Sequence, residues 1–86
     1  MFKNKSHNGQ NNICGKRIYE IRKCKVPKMS QRMLAEKLQL LGIDVDKNAI
    51  QRIESGQRFV TDIELQKLAE ALHVSVSQLY GEDDAP

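Results

Sequence analysis

Four times between residues 29 and 79 the chain repeats one short grammar: an apolar residue, a capping residue, and a second apolar residue four places after the cap. Met29-Ser30 leads to Leu34, Val45-Asp46 to Ile50, Val60-Thr61 to Leu65, and Val74-Ser75 to Leu79. Ser, Thr and Asp accept hydrogen bonds from the free N–H groups of a helix's first turn, and the flanking apolar pair packs across that turn as a staple. Two of the starts also carry the reciprocal capping box, Thr61 with Glu64 and Ser75 with Gln78. Together these signals predict helices over about 30–41, 46–55, 62–72 and 75–80.

A fifth helix precedes them. Asn12 is a candidate cap, and Cys14, Ile18 and Ile21 fall at i, i+4 and i+7 to give one apolar stripe. That helix runs to about Lys25, and Pro27 prevents its continuation. The inward faces of the others are Leu34, Ala35, Leu38 and Leu41; Ile50 and Ile53; Leu65, Leu68, Ala69 and Leu72; and Val74, Val76 and Leu79. Gly56 follows the third helix, where a left-handed residue ends a helix cheaply. No strand-like alternation and no internal repeat interrupts this pattern. The expected fold class is all-α, five short helices around one compact core. With 86 residues there is room for one modest core, and at 5% aromatic residues it must be aliphatic. The expected organisation is a flexible N-terminal arm over 1–12, a folded domain over 13–81, and an acidic C-terminal tail over 82–86.

Charge is placed unevenly. Residues 1–58 hold 13 Lys and Arg against 5 Asp and Glu, whereas residues 59–86 hold 1 against 6. A chain basic over its first two thirds suits a polyanionic partner on one face. The third helix sharpens that reading. Its polar positions, Lys47, Asn48, Gln51 and Arg52, carry amides and a guanidinium where an ordinary solvated face carries a mixture of Lys and Glu.

Other classes find no support. No stretch approaches the length of a membrane span and no signal peptide is visible, which leads to the expectation of a cytoplasmic protein without membrane contact. Cys14 and Cys24, placed on one helix, are separated by roughly 15 Å along its axis. A disulfide needs Cα atoms within about 7 Å, so both are expected to be ordinary thiols at or near the surface. His7 and His73 lack nearby ligand partners. With no nucleophile–base pair, no Gly-rich phosphate loop and no metal spacing, neither an enzyme nor a cofactor or metal site is expected.

The strings "SQRMLAEKLQ", "AIQRIESGQR" and "LQKLAEALHVSVSQLY" resemble the Xre/Cro/C1 family of helix-turn-helix DNA-binding domains, the lambda-repressor-like fold. The likeness spans about residues 13–80 and rests on Gln31 with Leu34-Ala35, on Ile50 to Gly56, and on Leu68 to Leu79. It implies sequence-specific binding of double-stranded DNA by a bacterial or phage transcriptional regulator, such as a repressor. Helix 46–55 would lie in the major groove. Lys47, Asn48, Gln51 and Arg52 would then contact bases, since Asn and Gln grip adenine and Arg grips guanine.

In the same resemblance Gln31, Gln57 and Arg58 contact phosphates, which positions the domain without reading sequence. Lys16, Arg17, Lys23, Lys25 and Lys28 supply a diffuse field. Arg22 and Glu54 match positions that form an ion pair linking the first and third helices. The implied partner is a palindromic operator, bound by a weak homodimer. The rival reading is a protein-interaction module of the same fold, an antitoxin or adaptor. One departure is plain: "AEKLQLLGIDVDKNAI" is about five residues longer than the family's tight turn, and it brings Asp44 and Asp46 near the expected DNA surface.

Overall fold

The computed structural model describes residues 9–81. They form five helices: α1 (Gly15–Lys23), α2 (Gln31–Leu40), α3 (Lys47–Glu54), α4 (Asp62–Leu72) and α5 (Val76–Leu79). Among the described residues there is no strand. The all-α expectation holds, and the four starts lie where the caps place them. Ser30 accepts from the N–H of Met33, Asp46 from Ala49, Thr61 from Glu64 and Ser75 from Gln78. Both capping boxes are complete. The C-terminal tail expected over 82–86 lies outside the described residues, as do residues 1–8 of the expected arm.

Two helix ends share a second device. After α2, the N–H of Gly42 bonds to the carbonyl of Gln39 and that of Ile43 to Leu38. After α3, the N–H of Gly56 bonds to Ile53 and that of Gln57 to Arg52. Each is a Schellman closure around a left-handed glycine, with φ of 91° at Gly42 and 82° at Gly56. The first of them organises the turn between α2 and α3. Val45 is buried, Ile43 packs partly against the core, and Gln39 Nε2 donates to the Val45 carbonyl. The residues between α2 and α3 are therefore folded onto the domain, not looped away from it.

The core is aliphatic, as the composition requires. Ile18, Leu34, Leu38, Ile50, Ile53, Leu68, Leu72 and Leu79 are essentially inaccessible. α3 packs against both α1 and α2, α4 against α2 and α5, and α5 also against α1. Thus α3 is held from two sides, which fixes the direction of its outward face.

Three differences from the sequence expectation have physical reasons. Cys14 is buried in the core at 2% exposure, and only Cys24 is an exposed thiol; both are free. Cys14 is the first member of the α1 apolar stripe, and the stripe outweighs the weak polarity of a thiol. Next, α1 begins at Gly15, with Cys14 as a cap whose side chain makes no capping bond. Asn12 still serves that helix, because its Oδ1 accepts from the Gly15 N–H at 2.8 Å.

The third difference lies in the arm expected over 1–12. Its described end is anchored. Asn11 donates its N–H to the Gly56 carbonyl and its side-chain amide to Gln57, while Asn12 Nδ2 donates to the carbonyls of Ile53 and Arg58. Asn11 and Asn12 thus pack with the domain. A short polar run reads as unstructured in sequence, but two Asn amides meeting the carbonyls at the end of α3 satisfy groups that a helix terminus leaves open.

Candidate nucleic-acid interface

α3 is eight residues long and sharply two-sided. Ala49, Ile50 and Ile53 are buried, and Lys47, Asn48, Gln51 and Arg52 are exposed. The spacing 49, 50, 53 is one helical stripe, so the four polar side chains share the opposite face. Ala49 extends the inward face expected from Ile50 and Ile53 alone, and its position one residue before Ile50 and four before Ile53 is the signal that identifies it. The Asp46 carboxylate is spent on the α3 cap, while Asp44 is exposed beside it.

Beside this face, a groove of about 1040 Å³ separates the beginnings of α2 and α3. Lys23, Lys28, Arg32 and Lys47 stand along it, with Glu36 and Asp46 as its acids. The helix N-termini that open onto it add backbone N–H groups and the positive ends of two dipoles. The balance favours an anion. Arg17 and Lys25, by contrast, are turned to the other end of the domain. Arg17 Nε donates to the Gln78 carbonyl and Lys25 Nζ to that of Leu72.

The orientation of α3 is set by a buried polar cluster. Arg22 Nε meets Glu54 Oε2 at 2.6 Å and Nη2 meets Oε1 at 2.9 Å, with the two side chains 8% and 5% exposed. The remaining guanidinium nitrogen donates to the Met29 carbonyl at 2.9 Å. Gln31 Nε2 adds a bond to Glu54 Oε1 at 3.0 Å. The Arg22–Glu54 pair thereby gathers α1, the α1–α2 loop and the first residue of α2 onto the end of α3. Gln31, expected at a phosphate, has its amide engaged in this cluster. The tyrosine ring of Tyr19 lies 5.5 Å from the Arg22 guanidinium carbon and covers the pair.

A second cluster fixes the loop after α3. The N–H groups of Gln57 and Arg58 both bond to the Arg52 carbonyl. The Arg58 side chain, also expected at a phosphate, pairs with both oxygens of Glu64, at 3.1 and 3.0 Å. Glu64 is the capping-box residue of α4, and its carboxylate accepts the Thr61 N–H as well. Burial pushes the Glu64 carboxyl up, but the bonds from Arg58 and Thr61 outweigh it and hold it below the usual range, so the pair is charged at neutral pH. Gln57 is exposed, and its backbone carbonyl takes the Asn11 amide.

Sequence reading did not foresee three of these contacts. The Arg58–Glu64 pair spans six residues across a loop and a helix start, a spacing with no fixed geometry. The Asn11–Asn12 clasp and the docking of Gln31 on Glu54 depend on tertiary neighbours alone. Among the described residues there is no group of three acidic, His or Cys side chains placed to hold a metal, and no helix is long and apolar enough to cross a membrane.

Neither the curated proteins nor the solved structures contain a match to this chain. A family model described as helix-turn-helix matches residues 18–79, most of the chain, from the middle of α1 through the last residue of α5. The matched segment includes α2, the turn that follows it and α3. With its five helices in a lambda-repressor-like arrangement and an exposed polar face on the third, the chain belongs to the Xre/Cro/C1-type helix-turn-helix family of DNA-binding domains.

Proposed function

We propose that this protein is a sequence-specific transcriptional regulator of a bacterium or phage, acting in the cytoplasm and reading the major groove of double-stranded DNA with α3. The observation that carries the reading is the face of α3. Lys47, Asn48, Gln51 and Arg52 are exposed together, while Ala49, Ile50 and Ile53 anchor the helix beneath them. An α-helix fits the major groove, and bidentate Asn, Gln and Arg contacts distinguish adenine and guanine there. In this reading Gln51 and Arg52, near the centre and end of the helix, carry most of the discrimination. Lys47 and Asn48 meet the duplex beside the basic groove.

Backbone contacts come from the flanks. Gln57 and Arg58 follow α3 directly, and Gln31 retains one amide hydrogen and its carbonyl beyond the bond to Glu54. One helix with four reading side chains specifies a short half-site, so the operator is palindromic and a weak homodimer forms on it. Selection of bound sites from a random duplex library tests the reading. Recovery of a two-fold symmetric motif supports it. Failure to enrich any motif, together with binding insensitive to salt, would instead favour a protein-interaction role for the same fold.

A further inference from the structure

The guanidinium of Arg58 is gripped in one specific way. Nη1 and Nη2 meet the two Glu64 oxygens end-on, and Nη1 also donates to the Phe59 carbonyl at 3.3 Å. A guanidinium has five N–H groups in a rigid plane. Three are used here. The Nε–H and the outer Nη2 hydrogen have no acceptor among the described residues. They form the other two-donor edge of the fork, the edge that suits a phosphate as well as a carboxylate. The Arg58 side chain is 29% exposed, so this edge is not sealed from solvent.

Both ends of the grip are fixed. Glu64 sits in the first turn of α4, and its carboxylate is held by the Thr61 N–H. The Arg58 backbone is tied by its N–H to Arg52 and by its carbonyl to Asn12. Arg52 belongs to the exposed face of α3, so the loop carrying Arg58 is referenced directly to that face.

We propose that Glu64 is a positioning residue for DNA binding, which holds Arg58 end-on so that its second edge is presented to a phosphate beside α3. The inference rests on the DNA-binding reading above and adds a residue to it. An acidic side chain near a polyanion weakens binding by simple repulsion. A pre-ordered arginine strengthens binding, because less side-chain freedom is lost when the contact forms. The two effects have opposite signs, which makes Glu64 decisive.

The test uses the whole chain and a fluorescent duplex carrying the selected site, titrated at several salt concentrations. Glu64→Gln removes a negative charge, keeps the shape and breaks the charged grip. Positioning gives weaker binding, by several-fold, in spite of the added net positive charge. Arg58→Ala weakens binding as well, and adding Glu64→Gln to Arg58→Ala brings no further loss. Arg58→Lys fails to restore affinity, because an ammonium has no second edge. Thr61→Ala frays the same helix turn but leaves the ion pair; it binds as wild type, and it serves as the stability-matched control if Glu64→Gln melts early. Unchanged or tighter binding by Glu64→Gln overturns the proposal while leaving the DNA reading intact. A wild-type chain that shows no salt-dependent duplex binding overturns that reading, and the role of Glu64 with it.

Discussion

Gly15 lies directly under the end of α3: a β-carbon at position 15 would stand 2.1 Å from the carbonyl oxygen of Ile53. That oxygen is not free to move. It accepts the N–H of Gly56 in the α3 closure and the side-chain amide of Asn12. The N-terminus of α1 and the C-terminus of α3 meet here with no room for a methyl group.

Gly15→Ala therefore sets two terms against each other. Alanine gains about 1 kcal/mol of helix propensity. Overpacking against fixed backbone costs about 1–3 kcal/mol, and here the Asn12 clasp is strained as well. We expect a net loss of about 2 kcal/mol, read as a lower urea midpoint with an unchanged slope. A stabilised variant would mean that α1 can slide away from α3.

The buried pair gives a larger effect. Arg22→Ala or Glu54→Ala leaves a charged partner in the core, and such losses run to about 3–5 kcal/mol. The double variant loses less than the two singles combined, because neither charge is stranded. Gln31→Ala removes one neutral donor to Glu54 and costs about 1 kcal/mol. Denaturant unfolding of the four variants measures the coupling, and additive sub-kilocalorie losses for Arg22 and Glu54 would contradict a buried pair.

Caps and staples are local, so Ser30, Asp46, Thr61 and Ser75 announce their helices in the sequence, and the periodic stripes then name most of the core. The outward face of α3 follows from Ile50 and Ile53 for the same reason. What the pattern omits is the set of contacts made between elements. Gly15 reads as an ordinary glycine near a helix start until α1 and α3 are seen to cross. Arg58 reads as a phosphate contact with no protein partner until α4 brings Glu64 to it. Gln31 reads as a side chain with its whole amide free until Glu54 is found within 3.0 Å of it. In each case the deciding neighbour is distant in sequence or lies across a loop whose path no local signal sets.

The two cysteines should separate cleanly in reactivity. Burial pushes the Cys14 thiol up from 9.0 to about 11, whereas Cys24 is exposed. The thiolate is the nucleophile, so a thiol reagent at neutral pH should modify Cys24 rapidly and Cys14 only on unfolding. The sign for stability follows. The unfolded chain ionises Cys14 near pH 9 and the folded chain only near 11, so the contribution is complete below about 9 and declines as pH rises toward 11. Cys14→Ala should flatten that alkaline decline. Equal labelling rates for both thiols in the native protein would place Cys14 at the surface.

The last prediction separates base reading from backbone anchoring within one short stretch. Arg52 is exposed at the end of α3, and its side chain has no partner among the described residues. Arg58 is paired and sits in the loop that follows. Arg52→Ala should lose about 1–3 kcal/mol on the best site and relax the preference at one base pair. Arg58→Ala should weaken all sequences alike and reduce the salt slope by roughly one phosphate contact, about 0.9 in log–log terms. Neither side chain belongs to the apolar core, and circular dichroism should show both variants folded. Binding to a panel of single-base variants of the selected site, each across a range of salt, gives the two readouts together. If Arg52→Ala weakens every sequence equally and lowers the salt slope, then Arg52 touches the backbone. The groove face of α3 would in that case be turned toward Lys47 and Asn48, a rotation that the lengthened α2–α3 turn and its Gly42 closure would have to accommodate.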